Sequence, residues 1–335
     1  MASSVLYRTL IETSDLARLL QSSSPPYILD SRLASPTNIQ SHYSIRIPGA
    51  KYFDIDEIRD KSSHLPHMLP KEHEFIEYMK KLRIKNDERL VVCYDPYGVF
   101  CSPRVWYTFK VFGRQNVAVM NGGLKKWIEE GNQVESGEYQ IYADPDNESD
   151  KDYNYKHDAS KLKSTQQVKM MSVLLGYNPP QTMTQIVDTR PAHVFAGSIA
   201  TGYDAVSGNI PNSLNLPFKK LLTENGCMKP SEECKKLFNS AGLNLDNSRN
   251  TIHLCQTGIT SCISILAMEM CGKSNNALYD GSWLEYVTFK QSKSLEEEKS
   301  QDQTGSNMHV NYMLQTAKEK YEKSQEEKLQ NKLNQ

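Results

Sequence analysis

The 335-residue chain is long for one domain and comfortable for two, each able to bury its own core. Its formal net charge of -1 excludes a general nucleic-acid binder, which would carry a clustered excess of Lys and Arg. No apolar stretch approaches the length that a membrane span needs, so neither nucleic acid nor membrane is expected as a partner.

The opening Met1-Ala2-Ser3-Ser4-Val5-Leu6-Tyr7-Arg8 passes almost at once into domain-like sequence. That leaves little room for a secretory signal or a transit peptide. A short helix is expected over Ser14 to Leu20. Next comes Tyr27-Ile28-Leu29-Asp30-Ser31-Arg32, an apolar strand ending in Asp-x-Arg, and then an Ile-Pro turn at Arg46-Ile47-Pro48-Gly49-Ala50. Leu90-Val91-Val92-Cys93-Tyr94 reads as a buried strand, followed by a helix with Val105, Phe109 and Phe112 on one face. Val117-Ala118-Val119-Met120 and Asn121-Gly122-Gly123-Leu124 form a strand, a glycine turn and a helix whose Trp127 closes the core.

The order then repeats. Thr165 to Leu175 matches the opening helix, and Gln185-Ile186-Val187-Asp188-Thr189-Arg190 matches the Asp-x-Arg strand. Asn209-Ile210-Pro211-Asn212-Ser213 is the second Ile-Pro turn, and Thr251-Ile252-His253-Leu254 the second buried strand. A helix with Ile263, Leu266, Ala267 and Met270 on one face follows, then Asn276-Ala277-Leu278-Tyr279-Asp280-Gly281-Ser282-Trp283. Strands alternating with helices predict the α/β class: two tandem domains, each a mostly parallel sheet flanked by helices. The expected boundaries are 5–132 and 165–288, with a polar linker over 133–164. A Lys-, Glu- and Gln-rich tail over 289–335 is expected to be disordered or a frayed helix.

Ligands in such folds bind at the carboxyl ends of strands, near helix N-termini. Cys255 stands there, after one strand and before the helix that begins near Thr260. The loop Gln256-Thr257-Gly258-Ile259-Thr260 is short, contains a glycine and lacks proline, so its N–H groups can turn toward one centre. Such a cradle and the helix dipole favour a thiolate, the nucleophilic form. The ordinary alternative is a buried cysteine acting as a small hydrophobe. In the first copy the equivalent place holds Asp95, which cannot carry sulfur, so one active and one inactive copy are expected. A cysteine phosphatase would need Cys-x5-Arg, whereas Ser261 stands at that position. The seven cysteines contain no C-x-x-C pair, so neither a zinc site nor a disulfide framework is expected. Cys262 stands two helical turns beyond Cys255, which argues against a disulfide between them.

The paired Asp-x-Arg strands, the Ile-Pro turns, the Cys-x-x-Gly-x-Thr loop and Asp280-Gly281-Ser282-Trp283 resemble the tandem rhodanese-domain sulfurtransferases over about residues 5 to 288. Phe53-Asp54-Ile55-Asp56, His67-Met68-Leu69-Pro70, Ser102-Pro103-Arg104-Val105-Trp106 and Asn121-Gly122-Gly123-Leu124 resemble the 3-mercaptopyruvate branch. The resemblance implies sulfur transfer through a persulfide on Cys255, with no metal or organic cofactor. The donor would be 3-mercaptopyruvate, or thiosulfate as the close alternative, and the acceptor thioredoxin, a small thiol or cyanide. It places Asp56 and His67 in a relay with Thr257, which stands for the family's loop serine.

Three departures accompany it. The residue after the cysteine is Gln256, where the branch has Gly and thiosulfate-specific members have Arg. Two arginines expected to hold the donor carboxylate map to about Val194 and about Gly202, the latter in a segment one residue shorter than usual. His193, Lys219 and Lys220 are the nearby candidate cations. These departures keep open a third reading, a non-catalytic persulfide carrier or scaffold. The expected address is the cytoplasm, with mitochondria by family habit.

Overall fold

The computed structural model of the chain describes residues 9–33, 45–139, 150–177, 184–198 and 206–289. The first sheet contains β1 (Leu10–Ile11), β2 (Tyr27–Asp30), β3 (Lys51–Tyr52), β4 (Val91–Tyr94) and β5 (Val117–Met120), in the order β1-β5-β4-β2-β3. The second contains β6 (Thr184–Asp188), β7 (Leu214–Asn215), β8 (Asn250–Leu254) and β9 (Asn276–Leu278), in the order β7-β6-β8-β9. Every strand pair in both sheets is parallel. β2, β4 and β5 are buried at every position, as expected where helices cover both faces.

The helices of the first domain are α1 (Thr13–Leu20), α2 (Ile55–Ile58), α3 (Glu72–Lys81), α4 (Ser102–Val111) and α5 (Gly123–Glu129). Those of the second are α6 (Thr165–Gly176), α7 (Ala192–Phe195), α8 (Ser231–Ser240), α9 (Ser261–Met270) and a final helical run over 282–289. Among the described residues no helix is long and apolar enough to cross a membrane.

The two Asp-x-Arg motifs do the same work in each copy. Asp30 and Asp188 are fully buried at the ends of β2 and β6. Each carboxylate is gripped by the guanidinium two residues on: Arg32 Nη2 lies 2.5 Å from Asp30 and Arg190 Nη2 lies 2.6 Å from Asp188. The same nitrogens reach across to the Ile45 and Gly208 carbonyls, stitching the strand end to the Ile-Pro turn. This bidentate pairing is what makes an ionised aspartate tolerable in a sheet core.

α4 packs on α9, so the two helices that follow β4 and β8 form the contact between the domains. One hydrophobic cluster runs through both, from Phe53, Phe75 and Phe109 to Ile263, Leu266 and Phe238. The described part of the polar stretch between the domains is anchored rather than free. Tyr153 and Tyr155 are buried in that cluster, and the Lys163 N–H bonds the Leu278 carbonyl. Two aromatic rings, one closing the 3-10 turn Asp150–Tyr153 and one two residues on, carry enough apolar surface to dock a sequence that composition alone marks as polar. From residue 290 on, the tail lies outside the described residues.

Candidate active site

β8 ends at Leu254, and the chain turns out of the sheet at Cys255. The Cys255 N–H donates to Ser282 Oγ at 3.2 Å, and its carbonyl accepts from Trp283 N–H at 3.1 Å. The Gln256 carbonyl accepts from Leu284 N–H. The final helical run thus caps its own start on the Cys255 loop. Ser282 holds φ +55°, a left-handed conformation that puts its hydroxyl under the Cys255 amide.

Cys255 is 3% exposed, yet it belongs to none of the hydrophobic clusters, whereas Cys93, Cys101, Cys234 and Cys262 all pack in one. Gly258 N–H donates to Cys255 Sγ at 3.2 Å. Gly258 has φ +83°, and a Cβ there would run into the Asp280 carbonyl and crowd Arg104 Nη1, so the position requires glycine. A ring of amides from Gln256 through Thr260 was the expectation, and in this structure only the Gly258 amide reaches the sulfur. Ile259 sends its side chain into the core, Thr257 is buried, and Thr260 is the half-helical residue before α9. The Gln256 side-chain amide is shielded from solvent and has no hydrogen-bond partner among the described residues.

Asp56 and His67 come from the first domain. His67 Nδ1 lies 2.7 Å from Asp56 Oδ1, and the imidazole holds the Asp56 carboxyl below the usual aspartate range. His67 itself sits at φ +59° in a turn facing the second domain. Arg104, at the third position of α4, ties this turn to the cysteine loop. Its Nη2 donates to the His67 carbonyl at 2.5 Å, and its Nη1 donates to the Gly258 carbonyl at 3.1 Å and lies 2.6 Å from Asp280 Oδ1. Asp280 Oδ2 accepts the Leu69 N–H at 2.7 Å. Among the described residues no hydrogen bond joins Thr257 to His67, so the three expected relay members are brought to one interface without a continuous chain between them.

A second copy of this arrangement exists on the other side of the α4–α9 contact. Asp95 follows β4 as Cys255 follows β8, and its carbonyl accepts from Leu124 N–H as that of Cys255 accepts from Trp283. Gly123, φ +64°, takes the place of Ser282. Facing this loop is Gly226, φ +73°, from the second domain, in the place of His67; Met228 N–H bonds Asn121 Oδ1 as Leu69 N–H bonds Asp280. Here the cradle is filled from within. The Asp95 carboxylate accepts the N–H groups of Phe100, Cys101 and Ser102 at 2.8–2.9 Å and the Ser102 hydroxyl. Burial still pushes its carboxyl up to about 6. Beside it opens a cleft of about 740 Å³, lined by Tyr97, Phe100, Phe218, Lys219 and Glu224 among others.

That cleft corrects one expectation. Lys219, a candidate cation for a donor at Cys255, lines the Asp95 cleft instead, because the 3-10 turn Phe218–Leu221 carries it to the first domain's loop. Val194 is buried and apolar, and Gly202 lies outside the described residues. Arg104, Asp280 and Ser282 were visible only as parts of motifs, with no role attached. The one local signal for Arg104 was a charged residue inside an otherwise apolar helix face. His253, two residues before Cys255, is wholly buried and bonded to Asn276; burial lowers it to about 3, so it stays neutral. Among the described residues no group of three or more His, Cys, Asp or Glu side chains is set to hold a metal. All seven cysteines are free thiols, and burial pushes Cys262 up to about 12, the behaviour of a structural thiol.

Comparison with known proteins agrees with this geometry. The family model described as the rhodanese-like domain matches residues 12–130, the copy that carries Asp95. The thiosulfate sulfurtransferase of Cricetulus griseus is 37% identical over 297 residues, covering 85% of this chain and 94% of that one. The 3-mercaptopyruvate sulfurtransferase of Mus musculus is 32% identical over 295 residues, with the same coverages of 85% and 94%. Among solved structures, the 3-mercaptopyruvate sulfotransferase SseA of Escherichia coli superposes with a TM-score of 0.69 at 29% identity, over 82% of this chain and 99% of that one. Near-complete coverage at such identities, on two parallel α/β bodies each facing the other's loop, means that the chain belongs to the rhodanese family of sulfurtransferases.

Proposed function

We propose that the enzyme moves a sulfane sulfur from 3-mercaptopyruvate, or a related small thiol donor, through a persulfide on Cys255 to a thiol acceptor. The observation that carries this reading is the contrast between the two loops. The Asp95 loop has its cradle filled by its own carboxylate, whereas the Cys255 loop presents a sulfur outside the hydrophobic clusters with a main-chain N–H aimed at it.

In the first half-reaction the Cys255 thiolate attacks the donor sulfur. The donor's C–S bond breaks, and pyruvate leaves as its enolate and takes up a proton. The persulfide's outer sulfur carries the negative charge. In the second, an acceptor thiolate attacks that outer sulfur and leaves as its own persulfide, and Cys255 returns to the thiolate. Both are displacements at sulfur, balanced in electrons without any other redox partner. Asp56 fixes His67 by its Nδ1, which leaves Nε2 to pass a proton to the departing enolate. Thr257 supplies the loop hydroxyl. The Gln256 amide, next to Cys255 and without a hydrogen-bond partner among the described residues, is a candidate to hydrogen-bond a donor's oxygen atoms. Thioredoxin or a small thiol is the acceptor class, and cytoplasm or mitochondria the address.

Thiosulfate is the second reading, favoured by the higher identity of the relative named for it, 37% against 32%. It calls for positive charge in or beside the loop, which Gln256 and Thr257 do not provide. The decisive experiment incubates the protein separately with 3-mercaptopyruvate and thiosulfate and weighs it. The expected result is one added sulfur from 3-mercaptopyruvate, absent in Cys255→Ser. Loading from thiosulfate alone would reverse the donor assignment. Loading of the Ser variant, or none of the wild type with either donor, would remove the persulfide mechanism and leave the scaffold reading.

A further inference from the structure

We infer that Arg104, a residue of the first domain, is the positioning residue of the Cys255 site: it holds the His67 turn in place of a loop amide and thereby leaves the Ile259 N–H to the transferred sulfur. This rests on the sulfur-carrier reading of Cys255.

The guanidinium is 2% exposed and touches both domains through the Gly258 carbonyl, Asp280 and the His67 carbonyl. Other contacts around it come in matched pairs across the pseudo-twofold, such as Leu69 to Asp280 and Met228 to Asn121. Arg104 has no match. Its counterpart, five residues beyond Ile259 as Arg104 is five beyond Val99, is Ser264, fully buried and uncharged. At the Asp95 loop the turn is held differently: the Gly226 carbonyl, counterpart of the His67 carbonyl, accepts the Val99 N–H at 2.8 Å. Val99 directly follows Gly98, as Ile259 directly follows Gly258. Among the described residues no hydrogen bond takes up the Ile259 N–H, and the His67 carbonyl is held by Arg104 instead.

A buried arginine is costly unless fully paired, so a strut needed only for architecture would be expected in both copies or replaced by apolar packing in both. It stands only where the loop carries a thiol. Its planar fork reaches three acceptors at once, which the single point of a lysine ammonium does not.

The test uses the full chain with Arg104→Lys and Asp280→Asn. Four quantities are read: kcat and KM for sulfur transfer, the pH profile of Cys255 alkylation by iodoacetamide resolved by peptide mass mapping, and the thermal midpoint. For Arg104→Lys the expected result is a fall in kcat of about 100-fold, the scale of a displaced reacting group, with KM changed by less than about threefold. The alkylation profile moves to higher pH. An unchanged profile with unchanged kcat per folded molecule would overturn the proposal. Should the lysine variant fail to fold, Asp280→Asn decides: it keeps an acceptor for Leu69 N–H but removes the charge that anchors Arg104. A fall in kcat of about tenfold is expected there, and wild-type kcat would be the refutation. If the wild type loads no sulfur from any donor while the lysine variant still shifts the alkylation profile, the sulfur-carrier reading fails and takes with it the Ile259 N–H assignment, leaving Arg104 only as the residue that positions the Cys255 thiol. If the wild type is active and the lysine variant matches it, the positioning role fails and the sulfur-carrier reading stands.

Discussion

Asp95 and Cys255 occupy the same point of two copies of one fold, and the difference between a carboxylate and a thiol decides what each loop can hold. The Asp95 carboxylate satisfies three main-chain donors and one hydroxyl, so its own side chain is the anion of its cradle. Asp95→Asn turns an N–H₂ toward those donors and leaves amides unsatisfied. The expected loss at pH 7.5 is about 1–3 kcal/mol, measured by urea unfolding. A second readout is its pH dependence. The folded-state value of about 6 lies above the ordinary aspartate value. The associated stability is therefore whole below pH ~4 and declines as pH rises toward 6, a slope the asparagine variant should lack. The Cys255 loop was legible in the sequence because a cysteine after a buried strand is a local pattern. The aim of its amides was not, since peptide orientation depends on Arg104 and Asp280, far away in the chain.

Elements place these residues. β8 delivers Cys255, α9 begins six residues later, and the helical run from 282 closes on the loop's carbonyls. Ser282 sits at the joint, in a left-handed conformation that its counterpart Gly123 adopts without strain. Ser282→Ala keeps that strain and strands the buried Cys255 N–H, an expected loss of about 1–3 kcal/mol. Ser282→Gly loses the same hydrogen bond but relieves the backbone, by about 1 kcal/mol. The glycine variant should therefore be the more stable of the two in denaturant melts. Equal stabilities would show that the left-handed turn carries no strain. The strand–turn–helix order around this joint follows from periodicity and turn residues alone, and so it was predictable. The Tyr153 and Tyr155 anchors were hidden, because a polar composition masks two rings whose docking surface belongs to another part of the chain.

At the scale of the molecule, the two domains share one hydrophobic cluster through α4 and α9. They should therefore unfold together: far-ultraviolet dichroism and tryptophan fluorescence are expected to trace one coincident transition in guanidinium, and separated transitions would mean that the shared core is energetically divisible. By itself the sequence determined a duplicated parallel α/β architecture, its paired Asp-x-Arg locks and the cysteine at a strand's carboxyl end. Each is written in residues a few positions apart, where side-chain period and turn chemistry act directly. Only the tertiary structure decided that Leu69 and Arg104 of one domain meet Gly258 and Asp280 of the other, and that Lys219 turns to the opposite cleft. Those contacts join segments more than a hundred residues apart, and they exist because two buried helices pack against each other, an arrangement that spacing along the chain does not encode.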